Sequence, residues 1–419
     1  MLGNFRDKFG KLGTQIGDMT FTNLLRVQLH GVLTGNHFDQ YYFDATAENY
    51  SNYNAYSLAL ASFLAYLLNS EQSGKLQLDK KAIEKEIKRI DQQNSQQTEE
   101  IYTKLENWLK NFPDSYFITG NEFGIAGKKG LTVLCSNTQA LILKNDEVII
   151  VAFRGTHQVA DCFTDLQLIH SREFAGGFGV HNGFYESMMS VWPEVWEQIK
   201  PEARGERTVW FTGHSLGAAL AKLATAMCLF DEKYNGKIPN GLYTYGQPKV
   251  CDHKFCTVFD EKFKHRTFRF VNNNDIVPFL PLGPSDFEVK LPNVFHSIPK
   301  FDYTLLNTLF IIDYHHSGHF KLFDANGVLQ DESFGIVDKW LDRVAGHLLN
   351  SFKLDPASLK IVLSLNPIEI VKSVMWRAIE RHDGIYDHFI AQYVIHLKKH
   401  LDKWEKEHPS AVPSSPRER

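Results

Sequence analysis

The run Gly213-His214-Ser215-Leu216-Gly217 constrains this chain more than any other stretch. It ends the β-branched and aromatic segment TVWFTG (208–213) and opens the Ala- and Leu-rich pattern LGAALAKLATAMCLF (216–230), so a strand passes into a helix with no loop between. A turn that tight leaves no room for a side chain two residues before or after the serine, because either Cβ would strike neighbouring backbone. Glycine at both positions meets that demand. The serine hydroxyl is then thrust above the sheet, and the new helix aims backbone N–H groups and positive dipole at the same point. Ser215 is therefore the predicted nucleophile, with an accidental serine in a strand-to-helix turn as the plainer alternative.

The surrounding texture agrees with an α/β fold. LTVLCS, QALILK and EVIIVAFRG read as short strands from Leu131, with Lys144-Asn145-Asp146 as a hairpin turn. GLYTYGQP (241–248) and TFRFVN (267–272) are further strands, and strands alternating with helical segments argue a largely parallel or mixed sheet covered by helices. The charged segment 72–112 reads as two amphipathic helices with Gln92–Gln97 as the loop between them. AYSLALASFLAYLL (55–68) is apolar but too short to span a bilayer, and its leucines follow helical spacing, so a buried helix is expected.

Composition excludes several classes. A hydrophobic fraction of 43% with 22% charged residues is that of a globular protein, neither disordered nor a coiled coil. The net charge of −4 gives nothing to favour nucleic acid. Five cysteines are an odd number without paired close spacings, which is no disulfide framework. Cys251, His253 and Cys256 tempt a metal reading, but no second pair follows at zinc-site spacing. The first 33 residues lack the continuous apolar core of a secretory signal. A cytoplasmic enzyme is expected, or one exported by a route without such a signal, with no transmembrane segment.

A serine nucleophile needs a base and an orienting carboxylate, in the order Ser, Asp or Glu, His for such a turn. Asp275 follows the strand TFRFVN, where a carboxylate lies on the sheet edge that carries such sites. Asp260, Asp286, Asp302, Asp313 and Asp324 lack that placement, and Asp324 in DANG reads as a hairpin turn. Nine histidines follow Asp275: His296, His315, His316, His319, His347, His382, His388, His396 and His400. Spacing singles out none of them, although His396 and His400 sit among lysines as a solvated helix face would.

Several stretches, read in order, resemble the class 3 lipases of the α/β-hydrolase fold, related to the fungal triacylglycerol lipases. They are ENYSNYNAYSLALASFLAY, VIIVAFRGTHQVADCFTDL, VHNGFYESM, TGHSLGAALAKLA, LYTYGQPKV and FRFVNNNDIVPFLP. With the histidine regions they cover about two fifths of the chain. The resemblance implies a central mixed, mostly parallel sheet flanked by helices. It implies Ser215 as nucleophile, Asp275 as the triad acid, and Thr156 with the N–H of Leu216 as the oxyanion hole. Asp387-His388-Phe389-Ile390-Ala391-Gln392-Tyr393 resembles the family's D-H-x-x-x-x-Y block, which implies His388 as the base, with His382 and His316 in reserve. YHHSGHFKLF resembles a Tyr-x-His-x-Gly-x-Glu segment but has Phe320 where Glu is usual, and the stretch between Asp275 and His388 is much longer than in the fungal members.

The expected organisation is an N-terminal helical segment (1–48), one hydrolase domain (49–401) with insertions near 72–112 and 331–380, and a disordered polar tail (402–419). The apolar stretches 301–314 and 354–376 are candidates for a cap or for ordinary core. About 157–179 holds the position of the family's lid, with GGFG (176–179) as its hinge. The resemblance implies a carboxylic-ester hydrolase on lipid esters, of triacylglycerol lipase or phospholipase A type, making transient contact with a lipid surface and needing no metal or cofactor. The alternatives are a short-chain carboxylesterase and a catalytically silent lipid-binding protein on the same fold.

Overall fold

The computed structural model describes residues 31–68, 72–78, 80–81, 83–85, 95–120, 123–126, 132–135, 138–155, 171–174, 177–200, 206–234, 239–281, 313–330 and 386–412. Its strands are β1 (Gly74–Lys75), β2 (Tyr116–Thr119), β3 (Phe123–Ala126), β4 (Thr132–Cys135), β5 (Gln139–Lys144), β6 (Val148–Phe153), β7 (Ser171–Phe174), β8 (Phe178–His181), β9 (Thr208–His214), β10 (Gly241–Tyr245), β11 (Cys251–Asp252), β12 (Thr267–Asn272), β13 (Tyr314–His315) and β14 (His319–Phe323). The helices are α1 (Asn52–Leu67), α2 (Ser95–Leu109), α3 (Asn182–Met189), α4 (Trp192–Ile199), α5 (Leu216–Phe230), α6 (His253–Phe263) and α7 (Ile390–Glu407).

The main sheet has the order β1-β2-β5-β6-β9-β10-β12-β14. From β6 to β14 every pairing is parallel, while β1, β2 and β5 run antiparallel at one edge. This is the mixed, mostly parallel sheet of an α/β-hydrolase fold. VIIVAF on β6 is buried at every position, as a central strand covered on both faces must be. Alternate side chains divide between two cores. Leu141, Ile150, Trp210, Tyr243 and Phe270 face α1, α2 and α7. Ile142, Ile149, Val151, Phe211 and Leu242 face α3 to α6.

The expected buried helix is α1, in which Ser62 spends its hydroxyl on Leu58 O, one turn back, and on Thr212 of β9, 3.0 Å from each. Among the described residues no helix is long and apolar enough to cross a membrane. The turn Lys144–Asp146 joins the antiparallel strands β5 and β6, as its residues require.

Three boundaries differ from expectation. Residues 31–48 are not a separate segment, because Val32, Leu33, Phe38 and Phe43 enter the core beside α1 and α7. Segment 72–112 is more than an inserted layer: β1 adds an edge strand and α2 starts inside the expected loop, at Ser95. Helix α7 continues to Glu407, past 402, because Leu397 and Leu401 bury one of its faces. The cap candidates 301–312 and 354–376 and the insertion 331–380 lie outside the described residues.

Candidate active site

Ser215 sits between β9 and α5 with φ 58° and ψ −128°. A non-glycine residue held there stores about 1–3 kcal/mol of strain. Its N–H donates to Tyr245 O at 3.0 Å, and its carbonyl accepts the N–H of Ala218 at 3.0 Å. Both flanking glycines are sterically required. A Cβ on Gly213 would lie 2.3 Å from the carbonyl of Gly217, and one on Gly217 would lie 2.1 Å from Phe153 O. Leu216 is the first residue of α5, so its N–H is among the unpaired donors of a helix start.

Asp275 lies three residues past β12, its N–H returned to Asn272 O at 2.8 Å. Its buried carboxylate accepts three donors. Val277 N–H reaches Oδ1 at 2.9 Å, the Tyr393 hydroxyl reaches Oδ2 at 2.5 Å, and His388 Nδ1 lies 3.0 Å from both oxygens. With its Nδ1 proton given to Asp275, the imidazole of His388 carries its lone pair on Nε2. That atom is buried and has no hydrogen-bond partner among the described residues, Ser215 included. Gly246, at φ 58°, makes the approach feasible, because a Cβ there would stand 2.8 Å from both Asp275 Oδ2 and His388 Nδ1. Since Tyr245 O takes the Ser215 N–H, the serine, imidazole and carboxylate gather where β9, β10 and β12 end. All three side chains are buried.

The D-H-x-x-x-x-Y block is a clamp around this turn. The Asp387 carboxylate accepts from Asn273 Nδ2 at 3.0 Å and from Asn274 N–H at 3.1 Å. Asn272 Nδ2 donates to Asp387 O at 2.9 Å, and the Tyr393 oxygen accepts the Asn272 N–H at 3.0 Å. The three asparagines before Asp275 thus hold the residues on either side of His388, which the sequence did not reveal.

His214 makes a second link. Its Nε2–H donates to His388 O at 2.5 Å, which leaves Nδ1 to accept the Tyr66 hydroxyl at 3.0 Å. Burial, then the neighbouring His388, hold its pKa well below the usual histidine range, consistent with a neutral ring bonded this way. The sequence signals were present, in the elbow's own histidine and in Tyr66 at the end of α1, but no spacing rule joins them.

The other candidates lie elsewhere. His316 Nε2 donates to Pro278 O at 2.6 Å, and His315 lies 3.2 Å from Asp313, so neither faces Asp275. His319 stacks on Phe268, His396 packs on Phe323, and His400 meets Asn52. Asp260 accepts the Gly318 N–H and Asp324 closes its hairpin. Thr156, His296, His347, His382, Asp286 and Asp302 lie outside the described residues, as do 157–170 and 175–176 of the lid candidate. Of the glycines offered as a hinge, Gly177, at φ 76°, turns β7 into β8, Gly179 lies within β8, and Gly176 lies outside the described residues. Gly155 brings the chain against the elbow, where a Cβ would be 2.7 Å from His214 O.

Residues 150–284 match the family model described as Lipase (class 3). Over that stretch the chain is similar to the class 3 lipases. Its relatives include the secreted mono- and diacylglycerol lipase 1 of Fusarium solani, 30% identical over 175 residues, which are 40% of this chain and 47% of the relative. The lipase of Rhizomucor miehei is 35% identical over 162 residues, covering 36% of this chain and 43% of its own. Phospholipase A1-II 1 of Oryza sativa subsp. indica is 31% identical over 167 residues, covering 34% and 42%. The chain therefore spans less than half the length of these class 3 relatives. Among solved structures, the lipase of Rhizopus microsporus var. chinensis aligns over 52% of this chain and 64% of its own, at 27% identity and a TM-score of 0.35.

Proposed function

We propose that this chain is a class 3 lipase, a serine carboxylic-ester hydrolase acting on lipid esters. The observation that carries the reading is the buried Asp275–His388 hydrogen bond, 3.0 Å long, beside the Ser215 elbow. It fixes which imidazole nitrogen is basic. In the proposed cycle His388 Nε2 takes the Ser215 proton as Oγ attacks the ester carbonyl. Asp275 stabilises the imidazolium, and the N–H groups of Leu216 and Thr156 receive the oxyanion, each donor lowering the barrier by roughly 3–4 kcal/mol. The imidazolium then protonates the departing alcohol, and water releases the acyl group from Ser215 by the same route in reverse.

Lipid as the substrate class is supported by relatives named as a mono- and diacylglycerol lipase and a phospholipase A1. Contact with a lipid surface during turnover belongs to the same proposal. For location, a cytoplasmic or an exported setting is proposed; the description of the Fusarium relative as secreted favours the exported one. The test is a panel of triacylglycerol, phospholipid and p-nitrophenyl esters of graded chain length, with Ser215→Ala alongside. Hydrolysis of long-chain lipid esters, lost in the variant, is expected. A strong preference for the shortest soluble ester would replace the lipase reading by the short-chain esterase one, and activity surviving in the variant would remove Ser215 from the mechanism.

A further inference from the structure

On the face of the sheet covered by α5 and α6, two cations, Lys222 and Arg269, are buried with little to balance them. Lys222 of α5 touches the Ser317 hydroxyl through Nζ and stands 3.4 Å above the ring of Phe259. Arg269 of β12 pairs in register with Phe320 of β14, and its guanidinium lies 4.9 Å over that ring. A ring, where a carboxylate would neutralise it, leaves Arg269 Nε and Nη1 without hydrogen-bond partners among the described residues. Asp260 is the carboxylate whose charge both cations feel, and it is also engaged by the Gly318 N–H. Two buried cations against one carboxylate leave an excess of positive charge, which burial opposes by drawing both below their ordinary ranges and which an acid ionising nearby would offset.

Two such acids are at hand. Cys251 of β11 and Cys256 of α6 are free and buried, and the Cys256 sulfur approaches Cys251 O at 3.9 Å. The Cys251 thiol hydrogen-bonds to Cys256, and with the Lys222 charge and the Ser317 hydroxyl it draws the Cys256 thiol below its ordinary range against the effect of burial. Burial pushes Cys251 the other way. Cys256 is also the more open of the two, 6% exposed against 1%. A thiol drawn down in pKa beside one that burial pushes up is the pairing expected of an attacking and a resolving thiol.

We propose that Cys256 and Cys251 are a redox-active pair, with Cys256 attacking a hydroperoxide and Cys251 resolving the product into a disulfide. In the first step an S–O bond forms at Cys256 and the peroxide O–O bond breaks. The leaving alkoxide, or hydroxide, takes up the proton that Cys256 had released, and Cys256 becomes a sulfenic acid. In the second step the Cys251 sulfur attacks that of Cys256, the S–O bond breaks, and the hydroxyl leaves as water with the Cys251 proton. Two thiols are oxidised and one hydroperoxide is reduced to an alcohol, or water, plus water. The pair is independent of ester hydrolysis.

The experiment treats the folded chain with hydrogen peroxide, quenches it, alkylates it under denaturing conditions and maps it by mass spectrometry. A Cys251–Cys256 cross-link, with the loss of two hydrogens, is expected in the wild-type chain. In Cys251→Ser, dimedone should trap a sulfenic acid on Cys256. Lys222→Met should slow the oxidation at least tenfold. Both cysteines alkylated after peroxide treatment, dimedone on Cys251 in Cys256→Ser but not on Cys256 in Cys251→Ser, or an unchanged rate in Lys222→Met would each overturn the proposal. The wild-type mapping needs no variant to fold.

Discussion

Tyr393 donates its phenolic hydrogen to Oδ2 of Asp275 across 2.5 Å, although 118 residues separate them. Its oxygen also accepts the Asn272 N–H, so one hydroxyl satisfies the carboxylate and the backbone that presents it. Helix α7 therefore brings more than a histidine to the site: it completes the turn in which Asp275 sits.

Tyr393→Phe should lower stability by about 2–3 kcal/mol, because it deletes a charge-assisted bond and leaves a buried N–H unpaired. The fold should persist, since the ring remains to fill its place beside Tyr245. Urea denaturation measures the loss, and an unchanged midpoint would show that the hydroxyl is not needed.

Asp387→Ala removes the acceptor of Asn273 and Asn274 and frees the segment that carries His388. If His388 is the base, kcat should fall on the order of a hundredfold with KM little changed, about 2.7 kcal/mol of barrier. A rise in KM alone would assign Asp387 to substrate binding instead.

Ser215→Gly should stabilise the chain while abolishing hydrolysis. Glycine tolerates φ 58° and ψ −128°, so the strain of about 1–3 kcal/mol is relieved, less the entropy of the more flexible unfolded chain. Scanning calorimetry should show a midpoint at or above that of wild type. The opposite is expected at Gly246→Ala, where the new Cβ would meet Asp275 and His388 at 2.8 Å in a positive-φ position.

Acid should weaken the fold through its buried histidines. Burial pushes His37 and His396 down to about 4, and His214 and His316 well below 6.5. Each is then less protonated in the folded than in the unfolded chain at mildly acid pH, so stability rises with pH over that window. Going down, it should be lost progressively from about pH 6.5 through pH 4, with little contribution from these groups above pH 7.5. Thermal midpoints taken across that range check the slope, and His37→Asn should flatten it.

The elbow was legible in the sequence because its physics is local. Five residues fix a strand-to-helix turn, and the atoms that would collide with a Cβ on Gly213 or Gly217 belong to the elbow itself or to the adjoining end of β6. Strands β5, β6, β9, β10 and β12 were legible for the same reason, each a short apolar run closed by turn residues. The family resemblance added the pairing of Asp275 with His388, which spacing alone left open among nine histidines.

Only the tertiary structure decided what surrounds that pair. The clamp of Asp387 on the asparagines, the bond of Tyr393 to Asp275 and the bridge from Tyr66 through His214 to His388 all join segments far apart in the chain. Hydrogen bonds of this kind leave no periodic mark, because each needs one donor at one place and any sequence separation will serve. The charge balance around Lys222 and Arg269 was hidden likewise: nothing local marks a lysine within an Ala/Leu helix or an arginine within a strand as buried, and the packing of the folded chain buries both. Sequence determined the turn that carries Ser215 and the sheet beneath it, while the folded chain determined which side chains hold Asp275 and His388 in place.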